Sequence, residues 1–439
     1  MFLSRGDNMV SCSGPVSEQD RIIFHIDVNS AFLSWEAAYR IKHGETLDLR
    51  DIPAVVGGDP STRHGIVLAK SIPAKKYKIQ TGEPLFSAKL KCPNLVVVPP
   101  RYSLYIQCSS DMLKILQDYS PIIERFSIDE VFMDFTGMTR HFGPPVEAAY
   151  MIKDRIKKEL GFTVNIGISC NKLLAKMASE LEKPDRVHTI FPDEIPQKMW
   201  PLPIGELFMV GRTTAQKLRR KGIFTIGQLA ALEPALLRQW FKSYGELIWE
   251  FAHGIDNSEV QEYFPMKGLS NSTTISFDVK ERDIAHRVLL SLTETLGMRL
   301  RKAGKCARLV GVSIKNKYFE TCSRQRKFDM ATDCTNEIYC KAKELFDELW
   351  DGVPIRHLGV RVAELCSNKL LQLSFFDKGT EKYKALDYAV DNIRSKYGWH
   401  SIIRSCFLYS PLSPMAGGVP QDDADIEEGG KVWSPFAHD

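Results

Sequence analysis

The 439-residue chain has ten cysteines but no Cys-x-x-Cys pair; they lie scattered from Cys12 to Cys406. That spacing argues against a disulfide framework or a zinc site and fits a reducing compartment. No apolar run reaches the roughly 18–20 residues that span a bilayer. The opening stretch MFLSRGDNMVSCSGPVSEQD lacks the apolar core of a signal peptide. Neither charge dominates: 58 basic and 54 acidic residues leave a formal +4, too little to define a partner. With 44% hydrophobic and 26% charged residues the chain has an ordinary globular composition, which excludes wholesale disorder, collagen and coiled coil. The length exceeds a single core and predicts several domains of roughly 100–200 residues each.

What charge there is sits unevenly. Lys267 to Asp329 holds fourteen basic side chains against six acidic ones, a net +8, whereas Leu412 to Asp439 is net −5. A basic segment suits a polyanion through counterion release. It suits a solvated surface equally well, and charge alone does not choose.

The pattern of elements is mixed. Arg21–Ile26 is a short apolar run ending at Asp27, which predicts a buried strand presenting a carboxylate at its end. A helical spacing follows over Ser30–Ile41, then strands at Pro53–Gly58 and Gly65–Ala69, a basic helical stretch at Ile72–Tyr77, and a helix from Ser103 to Tyr119. Pro121–Ser127 and Val131–Phe135 flank Ile128-Asp129-Glu130 as a hairpin; a helix over Val146–Leu160, a strand over Thr163–Ser169 and a helix over Asn171–Leu181 complete an α/β sheet expected to be covered on one side. Short Gly-punctuated helices fill Pro201–Gly254. Beyond a polar connector, strands at Ser272–Asp278, Ala307–Lys317, Cys322–Asp329 and Arg356–Leu365 alternate with helices Glu281–Lys302 and Thr335–Trp350 in a ferredoxin-like β-α-β-β-α-β order. A last helix is expected at Leu386–Tyr397, and the Gly-, Pro- and acid-rich end is expected to be disordered.

Asp27 at one strand end and Asp129 and Glu130 in a hairpin turn would repel one another strongly if brought together, unless cations lay between them. Such hard oxygen ligands select Mg2+. Two ions about 3.5–4 Å apart would activate a hydroxyl and stabilise a departing pyrophosphate. The Val28 carbonyl could add a ligand. On their own, Asp27 reads more readily as a helix N-cap and Asp129-Glu130 as an ordinary polar turn.

Three longer motifs bear on that choice. FHIDVNSAF at Phe24–Phe32, FSIDEVFMDF at Phe126–Phe135 and NIGISCNKLLAKMASELEKPD at Asn165–Asp185 occur in this order. Together they resemble the Y-family translesion DNA polymerases, the bacterial DNA polymerase IV and UmuC-like group, from about Arg21 to Leu365. The resemblance implies a right-hand polymerase of the α+β multidomain class, with an α/β palm, small fingers, a helix-hairpin-helix thumb and a ferredoxin-like little finger. It places a palm at 21–33 and 95–190, fingers at 34–94, a thumb at 191–254, a linker at 255–267 and the little finger at 268–366. Residues 1–20 form an uninterpreted leader, 367–410 a clamp-binding segment with a C-terminal helix, and 411–439 the acidic tail.

Carried over residue by residue, the family's metal-binding carboxylates fall on Asp27, Asp129 and Glu130, with Val28 beside them, and imply two Mg2+ ions. The steric gate that rejects a 2′-hydroxyl falls on Phe32, and the triphosphate-binding lysine on Lys176. One departure stands out: where the family commonly has Tyr-x-x-Arg in the fingers, this chain has Ile72 and Lys75. Lys75 can neutralise phosphate as a point charge without a bidentate fork. Phe208 to Gly227 looks like a helix-hairpin-helix, with Gly211 and Arg212 opening a helix toward phosphate. In the little finger, Arg324, Arg326 and Lys327 are the expected phosphate contacts. Gln372-Leu373-Ser374-Phe375-Phe376 resembles the peptide by which bacterial polymerases bind the sliding clamp.

The expectation is therefore a low-fidelity, DNA-template-directed DNA polymerase for damage tolerance. It would act on primed DNA and dNTPs as a monomer in a bacterial cytoplasm, at the nucleoid and away from membranes, with a sliding clamp as partner. The competing readings are a catalytically weak DNA- and clamp-binding accessory on a polymerase scaffold, for which Ile72 is the foothold, and a two-metal nuclease, which has no use for an aromatic gate.

Overall fold

The computed structural model describes residues 21–262, 265–368 and 380–417. The leader, the Gln372–Phe376 motif and the acidic tail from 418 onward lie outside these residues. Strands β1 (Ile23–Val28), β2 (Ala54–Gly57), β3 (Val67–Lys70) and β4 (Val96–Val98) come first. They are followed by β5 (Ile123–Arg125), β6 (Glu130–Asp134), β7 (Val164–Ser169) and β8 (Val187–Thr189). The last four are β9 (Gly268–Val279), β10 (Lys305–Asn316), β11 (Thr321–Thr332) and β12 (Ile355–Ser367). The described chain falls into two compact units, 21–52 with 104–262 and 53–103 with the residues from 265.

The first unit is built on a five-stranded sheet in the order β5-β6-β1-β7-β8. Its central strand β1 pairs antiparallel with both β6 and β7. The expectation that one side of this sheet is covered is corrected, since β1 and β7 are buried at every position. Both FHIDV in β1 and VNIGIS in β7 alternate apolar and polar residues, yet His25, Asp27, Asn165 and Ser169 on the polar face are buried as well, which only packing on that face produces. One helix, Lys172–Glu180, lies directly on this sheet. Asn171 caps it, its side chain accepting from the Leu174 N–H at 2.9 Å. Gly167 in β7 permits the close approach, because a Cβ there would stand 1.9 Å from the Ala175 carbonyl oxygen. Further on, helices Arg212–Arg220, Ile226–Ala230, Pro234–Phe241 and Ser243–Ala252 share a core with Leu218, Ile226, Leu229, Leu237 and Ile248.

The second unit contains a three-stranded sheet, β3-β2-β4, and a four-stranded antiparallel one. The larger sheet follows the expected β-α-β-β-α-β succession, with helices Arg282–Lys302 and Thr335–Leu349 between its strands. Its spatial order is β11-β10-β12-β9, so the first and last strands are neighbours. The C-terminal helix runs from Thr380 to Tyr397, beginning earlier than its periodicity suggests. It is fastened by ion pairs from Arg301 to Asp391 (2.6 Å) and Asp387 (3.2 Å) and from Arg394 to Glu294 (2.7 Å).

Candidate active site

Antiparallel register decides which carboxylates meet. Asp27, the penultimate residue of β1, lies directly opposite Glu130, the first residue of β6. The Val28 N–H donates to the Asp129 carbonyl at 3.0 Å, so the hairpin turn is laced to the end of β1. Side chains alternate along a strand, and Asp27 and Glu130 therefore share the face that the Lys172–Glu180 helix covers. Asp27 is not a helix cap, since Ser30 occupies the N-cap position of the following helix, Ala31–Lys42.

The surroundings of the three carboxyls differ. Burial raises the Asp27 carboxyl to about 7, against the pull of the Lys183 ammonium with which it pairs. Burial also raises Asp129, which accepts a hydrogen bond from the Ser127 hydroxyl at 2.6 Å. Burial would raise Glu130 too, but the neighbouring His25 ring and the Lys176 ammonium (2.6 Å) outweigh it and hold Glu130 down to about 2. Among the described residues, no three His, Cys, Asp or Glu side chains converge closely enough to hold a cation as they stand. Lysine ammoniums supply the positive charge instead, on two of the three carboxylates.

Lys176 thus lies in the site, at hydrogen-bond distance from Glu130 and facing the Phe126 and Phe208 rings at 5.3 and 5.6 Å. Phe32 occupies the first turn of Ala31–Lys42, half-buried, its ring stacked on Tyr105 at 4.6 Å and 11°. Gly211 is the N-cap of Arg212–Arg220, with Arg212 exposed beside it. Lys75 is exposed in the short helix Ile72–Lys76, which belongs to the second unit.

Strand parity divides the expected DNA contacts on β11 between the two faces of the sheet. Arg324 and Arg326 lie opposite Val312 and Val310, whose side chains are core, so they reach toward the helical side of the sheet. There both pair with Glu348 of Thr335–Leu349, at 2.8 and 2.9 Å. Gln325 and Arg361, joined by a hydrogen bond, lie on the opposite, open face, and Lys327 follows the same parity. Sequence reading missed Lys183, His25 and Tyr105. Lys183 was visible in the ELEKPD segment, yet only folding brings it to Asp27, 156 positions away.

Comparison with known proteins identifies the family. Residues 26–180 match the model of the impB/mucB/samB family, 266–375 that family's C-terminal domain and 192–223 the IMS family HHH motif. A DNA polymerase IV of Clostridium acetobutylicum is 49% identical over 88% of this chain and 98% of its own length.

The chain belongs to the impB/mucB/samB family of Y-family DNA polymerases.

A DNA polymerase IV of Acetivibrio thermocellus is 39% identical over 88% of the chain and 98% of the relative. DNA polymerase IV 2 of Bacillus subtilis is 36% identical over 89% and 96%. A solved Y-family DNA polymerase chimera, Dbh-Dpo4-Dbh, superposes with a TM-score of 0.69, covering 79% of this chain and 100% of that one at 21% identity, a likeness of fold. Membership makes the chain a DNA-directed DNA polymerase of the translesion kind. Among the described residues no helix is long and apolar enough to cross a membrane.

Proposed function

We propose that this Y-family polymerase extends a primer by joining its 3′-hydroxyl to the α-phosphate of a dNTP at the site formed by Asp27, Asp129 and Glu130. The observation that carries the reading is the register that sets Asp27 opposite Glu130, with Asp129 in the adjoining turn. The residues fit divalent cations: Asp27 is a buried and Asp129 a half-buried carboxyl, both raised by desolvation, and Asp129 is held by a neutral hydroxyl. Asp27, Asp129, Glu130 and the Val28 carbonyl would hold two Mg2+ ions. When bound, these supply Lewis-acid activation of the hydroxyl and charge stabilisation of the pyrophosphate.

The chain's own groups do the rest. Lys176, paired with Glu130, is placed to neutralise a triphosphate, and Lys183 neutralises Asp27 where a divalent cation would do so. Lys75, exposed on its own unit, is a triphosphate-binding residue by the family resemblance alone. The Phe32 ring is held against Tyr105, and as the steric gate it would clash with a ribose 2′-hydroxyl and so select dNTPs. Gly211 and Arg212 at a helix N-terminus hold a backbone phosphate without reading sequence. On the little finger, Arg324, Arg326 and Lys327 of β11 are the proposed phosphate contacts, Lys327 from the open face and the two arginines from the side of Glu348. Gln372, Leu373, Phe375 and Phe376 engage a sliding clamp, and the enzyme acts as a cytoplasmic, nucleoid-associated monomer.

The test is extension of a primed template. Asp129→Ala/Glu130→Ala should lower the rate by about 10³-fold or more while DNA binding persists. Wild-type rates in that double variant would refute the assignment.

A further inference from the structure

We propose that His25 is a positioning residue for Glu130, presenting an Nε2–H to the carboxylate. The proposal rests on the reading of Asp27, Asp129 and Glu130 as metal ligands.

His25 lies in β1 two residues before Asp27 and so faces the same way. Its neighbours in the strand are Phe24 and Ile26, and a fully buried polar ring among them is costly unless its nitrogens are used. The ring is locked. Nδ1 lies 2.7 Å from the Ser179 Oγ, and Phe132 packs against the ring at 4.6 Å. Nε2 is buried without a hydrogen-bond partner and points to Glu130 Oε2 at 3.6 Å.

A neutral imidazole carries one N–H, on Nδ1 or on Nε2. The Ser179 hydroxyl can give its hydrogen to the Lys176 carbonyl, 2.8 Å away, or to His25 Nδ1. In the first arrangement Nδ1–H donates to Ser179, and the Nε2 lone pair faces the Glu130 anion. In the second, Ser179 donates to Nδ1 and Nε2–H points at the carboxylate. The negative charge on Glu130 selects the second. Lys176 holds the same oxygen, Oε2, at 2.6 Å. Once Lys176 turns to a triphosphate, Nε2–H remains to fix that oxygen, and a short closure from 3.6 Å completes the bond. Partners of this kind commonly tune a ligand's metal affinity by about 10–100-fold.

The experiment measures Mn2+ binding by the full-length protein, read from the electron paramagnetic resonance of the free ion. The variants are His25→Phe, His25→Gln, Ser179→Ala and Glu130→Gln. His25→Phe keeps the ring and removes the donor, and should weaken Mn2+ about tenfold. His25→Gln can still place an N–H near Glu130 and should stay within about threefold of wild type. Ser179→Ala frees the ring without altering β1, and should loosen the ion by about threefold even if His25→Phe folds poorly. Equal losses in His25→Phe and His25→Gln, or none in His25→Phe while Glu130→Gln binds weakly, would overturn the assignment to His25. Wild-type affinity in Glu130→Gln would show instead that the metal-ligand reading is wrong, and the His25 proposal would fall with it.

Discussion

Replacing Asp27 by Asn should make the metal-free protein more stable while removing its ability to gain stability from metal. Burial raises the Asp27 carboxyl from 3.8 to about 7. Across that window the folded chain holds a proton that the unfolded chain has released. Stability is therefore fully present below the ordinary carboxyl range and is lost as pH rises through 7. A rise of about three pKa units is worth at most about 4 kcal/mol once the group is ionised. Asn matches the shape without the charge. Lys183, left without its partner but close to solvent, gives back about 1 kcal/mol. The expected outcome of urea unfolding in EDTA is a net gain of about 3 kcal/mol at pH 8, shrinking by about 2 kcal/mol at pH 5.5. Adding Mn2+ should then stabilise wild type by mass action and leave Asp27→Asn unmoved. A variant less stable than wild type at pH 8, or a gain equal at both pH values, would refute the claim that desolvation of Asp27 strains the metal-free site.

Other consequences are open to direct measurement. Gly167→Ala places a Cβ 1.9 Å from the Ala175 carbonyl and should force the Lys172–Glu180 helix off the sheet. We expect a loss of about 3 kcal/mol in urea unfolding and, with Lys176 displaced, a raised KM for dNTP. Phe32→Ala should lower the dNTP-over-NTP preference in single-nucleotide insertion by about 10–100-fold, whereas unchanged selectivity would remove Phe32 from the gate. Arg301→Met strands Asp387 and Asp391, and should cost the second unit about 3–5 kcal/mol and expose the Thr380–Tyr397 helix to limited proteolysis.

Much of this protein is written locally. The apolar run before Asp27, the Gly-containing strand before Asn171 and the capped helix after it are short-range signals, and they reappear as β1, β7 and Lys172–Glu180. The three motifs marked Asp27, Asp129, Glu130, Phe32 and Lys176, because each carries its residues within a single strand, turn or helix. Pairing across the chain was not legible. Lys183 reaches Asp27 and His25 reaches Ser179 over more than 150 positions, through contacts that exist only once β1 lies beneath the helix. Parity was not legible either: a basic run on β11 looks uniform in sequence, but its pairing with β10 turns Arg324 and Arg326 toward Glu348 and leaves Gln325 on the open face. The sequence by itself determined the chemistry available at strand ends and turns. Which carboxylate receives a lysine, which a histidine and which a hydroxyl was decided by the register of β1 against β6 and by the helix packed over them, because electrostatic partners are chosen by distance in space.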